Sequence, residues 1–378
     1  MSWTATSLRQ LCTRRHRWIP ESASVNCRER CRPASGAKRS GRSDPLRVRC
    51  RASFAALFSL AALIPCHAAR AQADTVPPTG VEERPFTFTG GTMELAGTLA
   101  LPADVNGPPI AVIVAGSGPT DRNGNARMGL RTNAYAQLAW GLATKGIASL
   151  RYDKRVLPTA KGQLNLTQLT FDDLAADVAA AVNAVRGDYS KVVVIGHSEG
   201  GDLAIQAVAN GLDVNGLVLI ATPGRNVRAL LHEQLGRQLP PTMLERFDSA
   251  FARYARGEPM VDTLPPALLT LLAPVNQRYT QTWAAFDPTR EIAKVHVPIL
   301  IVQGEADIQV GVSDAQALKT AQANAELVLL PGMNHVMKAV ADTAMAAQAS
   351  SYTNPTLPVV PALIQTVAGF IGRVPAGK

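Results

Sequence analysis

Two spacings of apolar residues alternate along most of this chain. From Pro85 onward, short apolar runs give way to longer stretches in which apolar positions recur every three or four residues. The first pair of runs, FTF and MELAGTLALP, reads as two antiparallel strands turning at Gly90-Gly91. PIAVIVAGSG, residues 109–118, is apolar without alternation, as in a strand covered on both faces in a parallel sheet. Further strands are expected at GIASLRYD, KVVVIG, GLVLIAT, PILIVQGEAD and AELVLLPG. The clearest helix between them is FDDLAADVAAAVNAVRG, where Leu174, Val178, Ala181, Val182 and Val185 share a face. Thr170 caps its start, Asp172 and Asp173 favour its first turn, and Gly187 stops it. This alternation predicts an α/β fold on a mostly parallel sheet with flanking helices.

One region departs from the alternation. Residues 225–291 contain helical patterns, no convincing strand, and the breakers Pro240, Pro241, Pro265 and Pro266. Strand C-terminal ends build the sites of such folds, so an insertion of this length is read as a helical lid rather than an excursion on the sheet edge. Its aromatic residues Phe251, Tyr254, Tyr279, Trp283 and Phe286 are candidates for an apolar pocket or for plain core packing.

Composition supports a large core, with 378 residues of which 47% are hydrophobic. Charge changes the picture only once it is located. The net +9 suggests a nucleic-acid partner, but residues 1–73 hold 14 Lys+Arg against 3 acids, leaving 24 against 26 for the other 305 residues. The body of the chain has no electrostatic case for nucleic acid. Residues 1–73 read as a leader: Arg47, Arg49 and Arg51 precede the apolar run 52–65, and Ala71-Gln72-Ala73 is a small-x-small cleavage pattern. Cleavage is expected after Ala73, giving a periplasmic or secreted protein, since the run of about 14 residues is short of the ~20 that span a bilayer. The alternative is an N-terminal anchor. Residues 1–45 lie upstream of a complete signal, consistent with a start assigned too early, and no ordered structure is expected there. All five cysteines, at 12, 27, 31, 50 and 66, fall in the leader, so the mature chain is expected to have no disulfide and no cysteine metal site.

The chemistry centres on Gly196-His197-Ser198-Glu199-Gly200. A Gly-x-Ser-x-Gly pentapeptide alone is weak, but this one follows VVVI and precedes the helix-forming EGGDLAIQAVAN, the strand, sharp turn and helix that a nucleophilic serine requires. A Cβ at Gly196 or Gly200 would crowd the adjoining strand and helix. The serine needs a base, and beyond the leader only His197, His232, His296 and His335 are available. His197 is in the elbow itself, His232 in a helical stretch and His296 just before a strand. His335, in the loop PGMNHVM after the last strand, is the expected base. An orienting carboxylate comes from the loop after PILIVQG, where Asp307 is favoured over Glu305 because the GEAD turn leaves the later carboxylate facing the histidine. The order Ser198, Asp307, His335 puts each member after a different strand. The oxyanion donors are assigned to the N–H of Glu199 and, from the Gly116-Ser117-Gly118-Pro119 loop, that of Ser117. Asp121, Arg122 and Asp153 to Arg155 are expected to form an ion-pair network bracing that loop, and Glu199 is expected to pair with a protein arginine beneath the lid.

With those residues in place the sequence resembles bacterial esterases of the α/β-hydrolase superfamily, in the serine aminopeptidase-like and lysophospholipase-like branches. The resemblance is carried by MELAGTLALP, AGSGPTDRNGN, LRYDKR, GHSEGG, GEADIQV, PGMNHVMK and the closing YTNPTLPVVPALIQTVAGFI, across residues 85–372. It implies an α/β-hydrolase fold and a serine hydrolase that acts on small-molecule carboxylic esters without a cofactor. Two positions depart from the pattern: Ala115 stands where many relatives carry His, and Val156 where glycine is common. The same machinery cleaves amides, so an exopeptidase is the alternative, with Glu199 binding a substrate ammonium. A non-catalytic binding module on the same fold is the reading from a different class.

Overall fold

The computed structural model describes residues 76–127, 129–259 and 264–376. Residues 1–73, read above as a leader, lie outside these residues, and with them the cysteines and the expected cleavage after Ala73. The chain begins with β1 (Val81–Gly90) and β2 (Met93–Pro102), an antiparallel pair in register from Val81 opposite Pro102 to Gly90 opposite Met93. Next come β3 (Ile110–Val114), a two-stranded ribbon of β4 (Asn125–Ala126) and β5 (Leu130–Arg131), α1 (Ala134–Ala143), β6 (Ala148–Tyr152), α2 (Phe171–Val185), β7 (Val192–His197), α3 (Glu199–Ala209) and β8 (Gly216–Ile220). Five helices then precede β9 (Ile299–Gly304), and α9 (Val312–Ala321), β10 (Glu326–Leu330), α10 (Met345–Thr353) and α11 (Pro361–Arg373) complete the order. The eight-stranded sheet runs β1-β2-β6-β3-β7-β8-β9-β10, parallel from β6 through β10.

The unbroken apolar runs are explained by burial on both faces. In β3, Ile110, Val112 and Val114 join a core shared with α2 and α3, while Ala111 and Ile113 join one shared with α1 and α11. β7 divides the same way, with Val192 and Val194 on one side and Val193 and Ile195 on the other. With helices on both faces, the adjacent strands β3, β7, β8 and β9 of the main sheet are buried on both sides. Helix α2 is fixed as its sequence suggests. Thr170 accepts from the Asp173 N–H at 3.1 Å while the Asp173 carboxylate accepts from the Thr170 N–H at 2.8 Å, and all five expected stripe residues are buried.

Between β8 and β9 the chain forms α4 (Val227–Gly236), α5 (Pro241–Ala255), α6 (Pro266–Leu271), α7 (Gln277–Ala284) and α8 (Pro288–Ile292). Pro241 and Pro266 start helices rather than ending them, because a missing N–H costs nothing in the first turn. This insertion has an apolar core of its own, with Phe247, Phe251, Tyr254, Leu264 and Leu268 buried in it. Arg225, at its beginning, holds Asp314 of α9 at 2.6 Å. Among the described residues, no helix is long and apolar enough to cross a membrane.

Candidate active site

Four loops at the C-terminal ends of β3, β7, β9 and β10 carry the candidate residues. Ser198 stands between β7 and α3 with φ 53° and ψ −127°, a conformation that an L-residue keeps only when its surroundings enforce it. Here packing enforces it. A Cβ on Gly196 would lie 2.4 Å from the Gly200 carbonyl oxygen, and one on Gly200 would lie 2.3 Å from that of Val114. The Ser198 N–H is bound to the Ile220 carbonyl at 2.9 Å, pinning the turn to the end of β8.

His335 and Asp307 are brought together, His335 Nδ1 lying 2.8 Å from Asp307 Oδ2. The other carboxylate oxygen accepts from the N–H groups of Gln309 and Val310 at 2.7 and 3.0 Å, so the acid is held from both sides. A proton on Nδ1 facing a carboxylate leaves Nε2 with its lone pair, which is the state a general base needs. Glu305 is exposed, and its N–H bonds the Leu330 carbonyl at 3.1 Å. The two loops touch at Gly304, where a Cβ would sit 2.1 Å from the Met333 carbonyl oxygen. His232 is in α4, paired with Asp248 of α5 at 2.6 Å, and His296 is exposed before β9.

Gly116 approaches the elbow closely enough that a Cβ on it would meet Ser198 Cβ and His197 Nδ1, each at 3.2 Å. Ser117 is the next residue along this loop and is exposed. Glu199 is the first residue of α3, where N–H groups have no partner within the helix and the helix dipole favours negative charge. Its side chain is fully engaged: Oε2 accepts from Lys154 Nζ at 2.6 Å, and Oε1 accepts from the Tyr279 hydroxyl of α7. The partner is therefore a lysine and a tyrosine rather than the expected arginine. Lys154 follows β6, the neighbour of β3, and reaches the elbow from the sheet side. The Lys154 charge lies against the carboxylate and lessens its opposition to negative charge developing nearby.

The expected ion-pair network divides among different partners, Lys154 going to Glu199 as described. Arg122 binds Asp153 at 2.7 Å, with a second bond from its own N–H at 2.8 Å. Arg155 binds Asp177 of α2 at 2.5 Å, and Asp121 accepts from the N–H groups of Asn123 and Asn125. The insertion aromatics divide likewise. Phe251 and Tyr254 fill the insertion's own core, while Trp283 stacks on Phe171 with centroids 6.2 Å apart and Phe286 tilts against the same ring. Trp283 Nε1 also reaches Asp202 at 3.4 Å, and burial raises that carboxyl well above its usual range. Val156 packs partly buried against the core.

Sequence reasoning missed Gln348. It is buried on α10, its Nε2 donating to the Ala306 carbonyl and its Oε1 accepting from Asn334, each at 3.0 Å, so one side chain joins the neighbour of Asp307 to the neighbour of His335. A glutamine in an alanine- and serine-rich stretch carries no signal of such a role. Tyr135 was also missed; its hydroxyl lies 2.8 Å from His197 Nδ1.

Residues 126–339 match the sequence profile of the family described as serine aminopeptidase, S33. Among curated proteins, esterase EstD of Thermotoga maritima is 30% identical over 274 residues, 70% of this chain and 62% of that esterase, so the chain spans less than two thirds of that relative's length. Among solved structures, an esterase of Pyrococcus furiosus superposes with a TM-score of 0.52 at 16% identity, covering 81% of this chain and 96% of its own. Proline iminopeptidase of Mycobacterium smegmatis gives 0.50 at 17% identity, with coverage of 77% and 98%. The architecture is the α/β-hydrolase fold.

Proposed function

Because the chain belongs to the serine aminopeptidase S33 family, we propose that it is a serine hydrolase, exported to the periplasm or beyond, that cleaves small carboxylic esters through an acyl-enzyme. The observation that carries this reading is the 2.8 Å bond between His335 Nδ1 and Asp307, in loops adjoining a serine held in a strained turn. Ser198 Oγ attacks the ester carbonyl carbon while His335 Nε2 takes its proton, and Asp307 stabilises the imidazolium. The N–H groups of Ser117 and Glu199 receive the oxyanion. His335 then protonates the departing alcohol, and in the second half of the cycle it activates a water that releases the acid and restores Ser198. The helices between β8 and β9 serve as the lid and select the acyl group or alcohol.

The exopeptidase alternative takes support from the family description, and the Glu199 contacts weigh against it. An ammonium-binding carboxylate must be reachable and not already neutralised, and Glu199 is buried with its charge paired to Lys154 and its other oxygen bound by Tyr279. Ester hydrolysis needs no such anchor.

The test uses the chain without residues 1–73 on p-nitrophenyl acetate, butyrate and decanoate and on aminoacyl p-nitroanilides, with Ser198→Ala as control. Ester turnover lost by at least ~10³-fold in the variant is expected. Preference for the anilides would replace this reading with the peptidase. Silence on every substrate, together with no fluorophosphonate labelling, would leave the binding module.

A further inference from the structure

Behind the reacting groups runs a buried chain of hydrogen bonds whose side chains belong neither to the triad nor to the oxyanion donors. Its direction is fixed at both ends. The Gly116 N–H can only donate, and it does so to Tyr135 Oη at 2.9 Å. The His335 carbonyl can only accept, and it takes the proton of His197 Nε2 at 2.8 Å. Burial draws the His197 imidazole down to about 3, so the ring is neutral. With its proton on Nε2, His197 keeps a lone pair on Nδ1, and the single proton of Tyr135 goes there over 2.8 Å. Every donor and acceptor in the series has one assignment.

We infer that Tyr135 and His197 are positioning residues, which hold the oxyanion loop and the His335 loop in register with Ser198. This rests on the serine-hydrolase reading. Gly116 must pass the elbow as bare backbone, since a Cβ there would meet Ser198 Cβ at 3.2 Å. Such a segment has no side chain to anchor it, and its own N–H does so through Tyr135. At the other end, Asp307 aims the His335 ring but does not hold its main chain. The bond from His197 to the His335 carbonyl does, with the two rings tilted at 4.9 Å between centroids. His197 sits next to Ser198, so one imidazole refers base and nucleophile to each other. Small displacements of these groups are felt in the transition state more than in substrate binding.

Tyr135→Phe removes only the hydroxyl. The expected result is a fall of about tenfold or more in kcat on p-nitrophenyl butyrate with KM within about twofold, and an equal slowing of fluorophosphonate labelling. His197→Gln, whose amide can still donate to the His335 carbonyl, should keep more turnover than His197→Leu. The Tyr135→Phe/His197→Leu double variant should lose less than the product of the two single losses, because both remove the Tyr135–His197 bond. Folded single variants that turn over and label within about twofold of the wild type, or losses confined to KM, would overturn the inference. Should the variants not fold, imidazole nitrogen shifts of the wild type still decide it: His197 must be the Nε2–H tautomer, and an Nδ1–H tautomer refutes the series. A wild type that neither hydrolyses nor labels defeats the hydrolase reading and this inference with it. An active wild type with indifferent variants defeats the inference alone.

Discussion

Lys338, three residues beyond the candidate base, is fully buried, and its Nζ donates to two neutral oxygens, Gln137 Oε1 and the Leu357 carbonyl, at 2.5 Å each. Burial draws its ammonium down to about 7. An unfolded lysine titrates near ~10.4, so between these values the unfolded chain holds a proton that the folded chain has released. Stability contributed by this group therefore rises with pH through that window, and below about 7 the full penalty of a buried charge is present. Unfolding of wild type and Lys338→Met by urea from pH 6 to 9.5 should show the difference moving toward the wild type as pH rises. A constant difference would mean the lysine stays charged. Its burial is not readable from PGMNHVMK, because Gln137 and Leu357 are distant in sequence. The same limit applies to Glu199, whose partner Lys154 lies 45 residues away. Ser198, by contrast, was legible because its strained backbone demands glycines beside it, and these leave a local trace.

At the scale of elements, legibility followed burial. The strands β3, β7, β8 and β9 were readable since both faces are covered, and α2 since its stripe and capping box are complete. Helix α10 was not, because MAAQASSYT has small residues where an apolar stripe would be and is held by polar side chains instead. Gln348 is the centre of that attachment. Gln348→Leu keeps roughly the same length but removes the bonds to Ala306 and Asn334, leaving buried polar groups without partners at ~1–3 kcal/mol each. The variant is expected to melt at a lower temperature and to lose about tenfold in kcat, since one of the links between the acid and base loops is removed and the Asp307–His335 geometry loosens. Thermal unfolding and ester kinetics on one preparation would separate the effects, and unchanged kcat in a less stable protein would make α10 a packing element only.

For the whole molecule, the charge distribution separates the first 73 residues from the rest, with +11 against −2. If those residues serve only for export, a chain begun at Asp74 should match the kcat/KM of exported material, and N-terminal sequencing of the latter should read from Asp74. Material that retains the apolar run 52–65 and sediments with membranes would favour the anchor. The mostly parallel sheet and the loops after its strands followed from the alternation, whereas the order of the strands in the sheet, with β6 between β2 and β3, left no mark in the sequence. The insertion's internal packing did not, because which of its aromatic residues turn inward depends on helix crossings rather than on periodicity.

If the insertion selects the substrate as proposed, α4, α5 and α6, closed around Phe247, Phe251 and Tyr254, would keep that choice apart from a reaction at Ser198, Asp307 and His335, which stand at the ends of sheet strands. Descent with modification can act on one without disturbing the other. A lineage could exchange these helices wholesale and inherit a new diet with the old chemistry, whereas Gly196, Gly200 and Gly304 leave the chemistry almost no neighbouring sequences to explore.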